Sequence, residues 1–85
     1  MQKLELNRVY RHFKGDYYLT EAVAQDAETG ETCVIDRKLY EDGSLWIRKE
    51  TEFLSEVDRE KYPACTQKYR FELQDISSVR SQEKE

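Results

Sequence analysis

Proline occurs once in this chain and glycine three times, histidine, tryptophan and methionine once each, and cysteine twice. Each scarcity excludes something. No apolar run approaches the ~20 residues that a membrane-spanning helix needs. The opening MQKLELNR has no apolar core of the kind a signal peptide carries. These two features predict a cytoplasmic protein with no membrane partner. Cys33 and Cys65 are too far apart for a CxxC redox or zinc motif, and without export a disulfide between them would be reduced, so both are expected as free thiols. The three glycines stand alone, so there is no phosphate-cradling loop. A positive excess is also missing. Fourteen basic residues stand against eighteen acidic ones, a net charge of -4, and no uniform field exists to hold duplex DNA by its phosphates. A nucleic-acid site would have to be a local patch. Finally, 85 residues make one domain with a thin core and little room for an enclosed cavity.

What is present is polar yet aromatic: 38% hydrophobic, 38% charged and 12% Phe, Trp and Tyr, too many rings for a disordered chain. Three glycine-containing turn signals, KGD at Lys14, ETGE at Glu28 and EDGS at Glu41, divide the first half, because tight hairpin loops demand the positive φ that glycine supplies. Between them the strand-forming runs are 9–13, 17–24, 32–40 and 45–48. Beyond Trp46, Phe53, Leu54 and Val57 recur at helical spacing and predict one or two amphipathic helical turns. Pro63 ends that segment. QKYRFEL, 67–73, then alternates Tyr69, Phe71 and Leu73 against Lys68, Arg70 and Glu72 and reads as the last strand. The expected fold is mainly β: a small antiparallel, SH3-like barrel of about five strands with one short helical segment, occupying 1–76 and followed by a disordered tail, 77–85.

The order of five separated motifs is familiar. YRHFKG from Tyr10, ETGE from Glu28, LYEDGSLWIR from Leu39, VDREKYP from Val57 and QKYRF to Phe71 together resemble the bacterial family called domain of unknown function 1653, over roughly 8–73. The resemblance implies a small, self-contained cytoplasmic domain and no particular activity. Two departures stand out. Family members often place a proline after the arginine of the tryptophan motif, where this chain has Lys49. They also often carry a histidine shortly before the ET pair, where it has Gln25 and Asp26.

His12 invites a chemical role, since an imidazole titrates near neutrality; the competing role is structural, a hydrogen bond near the first hairpin. Zinc would need four ligands, and His12, Cys33 and Cys65 are each isolated, so no metal or other cofactor is expected. A thiol nucleophile served by His12 is disfavoured because Cys33 reads as an inward apolar residue. Neighbouring carboxylates such as Glu41 and Asp42 read as solvated turn residues. The more specific constellation is aromatic and basic: Tyr10, Arg11, His12 and Lys14 at one end, Trp46 and Arg48 in the middle, Tyr69 and Arg70 at the other. In a curled sheet the first and last strands are neighbours, which would join these segments into one surface. Such a surface suits a protein or peptide ligand; single-stranded nucleic acid is the alternative, and a small enzyme using His12 is the second. The same aromatics could instead be core, with arginine stems covering it. Arg11, on the side of Val9 and Phe13, requires a partner, either an acid such as Asp36 or Glu72 or an external ligand. A thin core also leaves open whether the chain is a monomer or a homodimer.

Overall fold

The computed structural model describes residues 2–76; the expected disordered tail lies outside the described residues. Five strands, β1 (Val9–His12), β2 (Tyr17–Gln25), β3 (Thr32–Lys38), β4 (Leu45–Lys49) and β5 (Phe71–Leu73), form one antiparallel sheet with a single helical turn, α1 (Glu50–Phe53), between the last two. The order across the sheet is β4-β3-β2-β1-β5. The first and last strands are therefore neighbours, and Arg11 stands opposite Glu72.

The turns form where local chemistry dictates. At the second hairpin the Asp26 carboxylate accepts the N–H groups of Glu28 (2.8 Å) and Thr29 (3.0 Å). Those bonds hold its pKa below the ordinary carboxylate range. Gly30 closes the loop at φ +77°, in the left-handed region where a side chain costs energy. A bulge between Thr20 and Ala22 sharpens the twist of β2, and Glu21, the residue without a partner there, reaches Arg37 at 2.6 Å.

One face of the sheet carries the core. Tyr10, Tyr18, Val34, Phe53 and Phe71 are buried together, and the rings meet edge to face, except that Phe53 stacks on Phe71 at 4.2 Å and 11°. The N-terminal segment covers the same face: Leu4 packs on the cluster, Glu5 donates its N–H to the Tyr10 hydroxyl at 3.0 Å, and the buried Thr20 hydroxyl donates to the Glu5 carbonyl at 2.7 Å.

Three expectations are corrected. The sheet does not close into a barrel, since among the described residues β4 and β5 are its two unpaired ends. β5 is only three residues long, and the Gln2 side chain already donates to the Phe71 carbonyl on its outer edge, at 2.9 Å. The helical segment is one turn, Glu50–Phe53, and stops short of Val57, because the chain beyond it pairs elsewhere: Val57 donates to the Lys68 carbonyl (2.9 Å) and Arg70 to that of Ser55 (3.0 Å). The same pairing shortens the last strand to Phe71–Leu73, with Tyr69 bridging Glu56 instead. No helix among the described residues is long and apolar enough to cross a membrane.

Candidate functional site

Alternation along the strands sorts the aromatic and basic residues onto different faces. Tyr10 is fully buried and belongs to the core. His12, half-buried, sits beside it on the packed face, its ring 4.9 Å from that of Phe71 and 4.6 Å from that of Phe13. Its Nδ1 accepts the Lys14 N–H at 3.1 Å, which leaves the proton of the neutral ring on Nε2. Burial, then the cations Arg48, Arg70 and Lys14, push its pKa down to about 4, so His12 is a weak proton acceptor at neutral pH.

That depression makes a prediction. The folded pKa lies below the ordinary 6.5, so the stability His12 contributes is fully present above 6.5 and is lost as pH falls toward 4. As the single histidine, its ring resonances give the midpoint directly by NMR. Denaturant unfolding across this range should show stability falling with pH in the natural chain, and a shallower fall in His12→Gln.

Arg48 crosses the packed face. Its Nε donates to the Asp36 carboxylate at 2.7 Å, and its guanidinium lies 4.7 Å from the Tyr18 ring centroid and 4.9 Å from that of Phe71. Asp36 is fully buried, and among the described residues its second oxygen, Oδ1, has no hydrogen-bond partner. The acid meant for an inward arginine is thus Asp36, but the arginine is Arg48. Arg11 lies on the opposite face and donates instead to the Gln67 side-chain oxygen, at 2.7 Å.

Gln67 was not singled out by sequence reasoning and organises the far side. It is 8% exposed, and its amide nitrogen donates to the carbonyls of Arg11 (3.0 Å) and Tyr69 (2.9 Å). The loop before it is held by its own polar residues. Asp58 caps Glu60 at 3.0 Å, Tyr62 donates to the Asp58 carbonyl at 2.9 Å, and Arg59 donates to the carbonyls of Cys65 (2.7 Å) and Gln67 (3.3 Å).

Between this loop and the end of β1 runs an open groove of about 530 Å³. Its wall is Phe13 packed edge to face on Tyr62, 4.8 Å between centroids, with Pro63 beyond. Among the described residues its charged lining is Arg11, Lys14 and Lys61, with no carboxylate. The cations lie over the rings: Lys14 Nζ is 5.9 Å from the Phe13 centroid and 5.5 Å from that of Tyr62, Lys61 Nζ is 5.8 Å from Tyr62, and Arg70 is 5.4 Å from Phe13.

The sequence model of the family described as "Protein of unknown function (DUF1653)" matches residues 8–73. The chain belongs to this family. The DUF1653 domain is also similar to a crystal structure of a DUF1653 protein from Bordetella bronchiseptica, at 30% identity and a TM-score of 0.71, covering 92% of this chain and 96% of that one. No curated protein matches the chain.

Within this DUF1653 domain the sequence-derived surface is divided. Arg11 and Lys14 line the groove, with Arg70 at its edge over Phe13. Arg48 and Arg70 line a second, smaller notch of about 290 Å³ between the sheet ends, together with Lys49, Glu52 and Phe53. Trp46 is 48% exposed on β4, its indole N–H donating to Ser44 at 2.9 Å, and Tyr69 lies under Lys68 at 5.3 Å. Both cysteines are free thiols. Cys33 is buried with its thiol toward the Glu31 carbonyl at 3.8 Å. Among the described residues no three His, Cys, Asp or Glu side chains converge on a metal position.

Proposed function

We propose that this DUF1653 domain is a binding module that takes an extended, acidic segment of a partner protein in the groove between Phe13 and the loop at 58–67. One observation carries the reading. In a chain of net charge -4, the groove is lined, among the described residues, by three cations and by no acid. Charge complementarity of this kind steers the encounter and fixes the register, while the apolar wall supplies the buried contact.

Single-stranded nucleic acid needs aromatic faces free to stack on bases. Here Lys14, Lys61 and Arg70 cover the faces of Tyr62 and Phe13, and the two rings close edge to face on each other. A peptide carboxylate can meet those cations where they stand, whereas a base would have to displace them. The peptide is favoured on that ground.

The test is fluorescence anisotropy with a labelled synthetic peptide that alternates glutamate with leucine and proline. Reversing both Lys14 and Lys61 to Glu should weaken binding about tenfold or more at low salt, roughly 1.4 kcal/mol, and added salt should weaken the natural complex progressively. Unchanged affinity in the double variant, or an oligonucleotide of equal charge that binds more tightly than the peptide, would count against the reading.

A further inference from the structure

Among the described residues no strand pairs with the outer edge of β4, whose Ile47, Arg48 and Lys49 border the notch they share with Arg70 and Phe71. Lys38 donates to the Ser44 carbonyl, and in this register Trp46 with Asp36 and Arg48 with Val34 are the following hydrogen-bonded pairs. The alternation of an antiparallel ladder therefore turns the N–H and C=O groups of Leu45 and Ile47 outward. Beside these groups stand exposed apolar side chains: Leu45 is 50%, Trp46 48% and Ile47 63% accessible. Edge strands are ordinarily protected by charge, proline or a bulge. β4 carries two cations, but Arg48 is turned inward onto Asp36 at 2.7 Å, and Lys49 is engaged by Glu31 at 3.6 Å.

We infer that this edge is a self-association surface, on which β4 of a second copy adds antiparallel about a two-fold axis at Ile47. The sequence LWIRK is complementary to itself in that register. Ile47 meets Ile47 of the second copy, Leu45 meets Lys49, and Trp46 stands opposite Arg48, whose guanidinium stays on Asp36. No like charges stand opposite each other within the strand. A two-fold contact needs self-complementarity of this kind, which is why a second copy fits this edge better than an arbitrary strand. The surface is separate from the Phe13 groove and does not depend on a ligand there.

Sedimentation equilibrium of the full chain from micromolar to millimolar concentration should show a reversible dimer. Ile47→Lys places two like charges at the axis and should abolish it, with the thermal midpoint at the dilute end unchanged. Register is read by cross-linking in a Cys65→Ser background. Cysteines at 47 would face each other with Cα atoms about 5.5 Å apart, inside the disulfide range of about 4.4–6.8 Å, whereas cysteines at 45 would be offset by about 14 Å along the strands. Oxidised dimer should therefore form with Ile47→Cys and much more slowly with Leu45→Cys. A chain that stays monomeric throughout, a dimer untouched by Ile47→Lys, or faster cross-linking at 45 overturns the inference.

Discussion

Replacing Arg48 by methionine is expected to lower the unfolding free energy by about 3–5 kcal/mol, the cost of leaving a buried charge without its partner. Asp36 is fully buried, and one of its oxygens already lacks a partner among the described residues. Burial raises its pKa, and the hydrogen bond and charge of Arg48 only partly counter this. The carboxylate is therefore held at a net cost, which the arginine limits. Because the folded pKa lies above the ordinary 3.8, the contribution of Asp36 is greatest below 3.8 and declines as pH rises through the folded value. Arg48→Met raises that pKa further, so its penalty should shrink in acid. Asp36→Asn removes the buried charge and should cost less than half as much. In the double variant the methionine faces a neutral amide, so the sum of the single effects should exceed the double effect by a wide margin. Urea denaturation of the four proteins at neutral and acid pH closes the cycle. Additive effects, or a penalty for Arg48→Met that does not change with pH, would show that the pair does not act as described.

Phe53→Ala is expected to cost a similar ~3–5 kcal/mol, by loss of buried surface and the cavity left behind. The ring is fully buried, stacked on Phe71 and set edge to face on Tyr10 at 5.0 Å. A helix of four residues cannot sustain itself in water, so α1 exists because Phe53 is anchored. Its loss should release the Leu54 amide, which now donates to the Glu50 carbonyl at 3.0 Å. Hydrogen exchange at that amide should quicken, and the denaturation midpoint should fall. Phe13→Ala provides the contrast. That ring is only half-buried, so its removal should affect groove binding more than stability, and a loss of stability matching that of Phe53→Ala would place Phe13 in the core instead.

How far the sequence reveals this molecule depends on the range of the interaction. The turn at Gly30 is readable because positive φ and an Asx cap are local requirements, and the adjacency of first and last strands follows from a curled meander. The pairing of Asp36 with Arg48 is not readable. Both alternation patterns can be written down, but which acid meets which arginine is decided by the registers of β2, β3 and β4 together. The sequence leaves Arg11 between an acid and an external ligand for the same reason: the partner it finds, the neutral amide of Gln67, is carried in by a loop. That loop also explains why half of the groove escaped notice. Lys61 and Tyr62 sit in a polar stretch without periodicity, and only the bonds of Asp58 and Arg59 set them beside Phe13 and Lys14. Barrel closure does not follow from the alternation of 67–73, because Lys68 and Arg70 pair with Val57 and Ser55.

The most direct test of the binding account is a backbone amide NMR titration of the isotopically labelled chain with the glutamate-leucine-proline peptide, repeated with a single-stranded oligonucleotide of equal charge. Peptide-induced shifts should concentrate on Phe13, Lys14 and the loop from Lys61 to Gln67 and fade as salt is added, with weaker effects from the oligonucleotide. Shifts that avoid the groove and gather on Trp46 and Arg48, or that appear with the oligonucleotide alone, would contradict peptide binding in the groove.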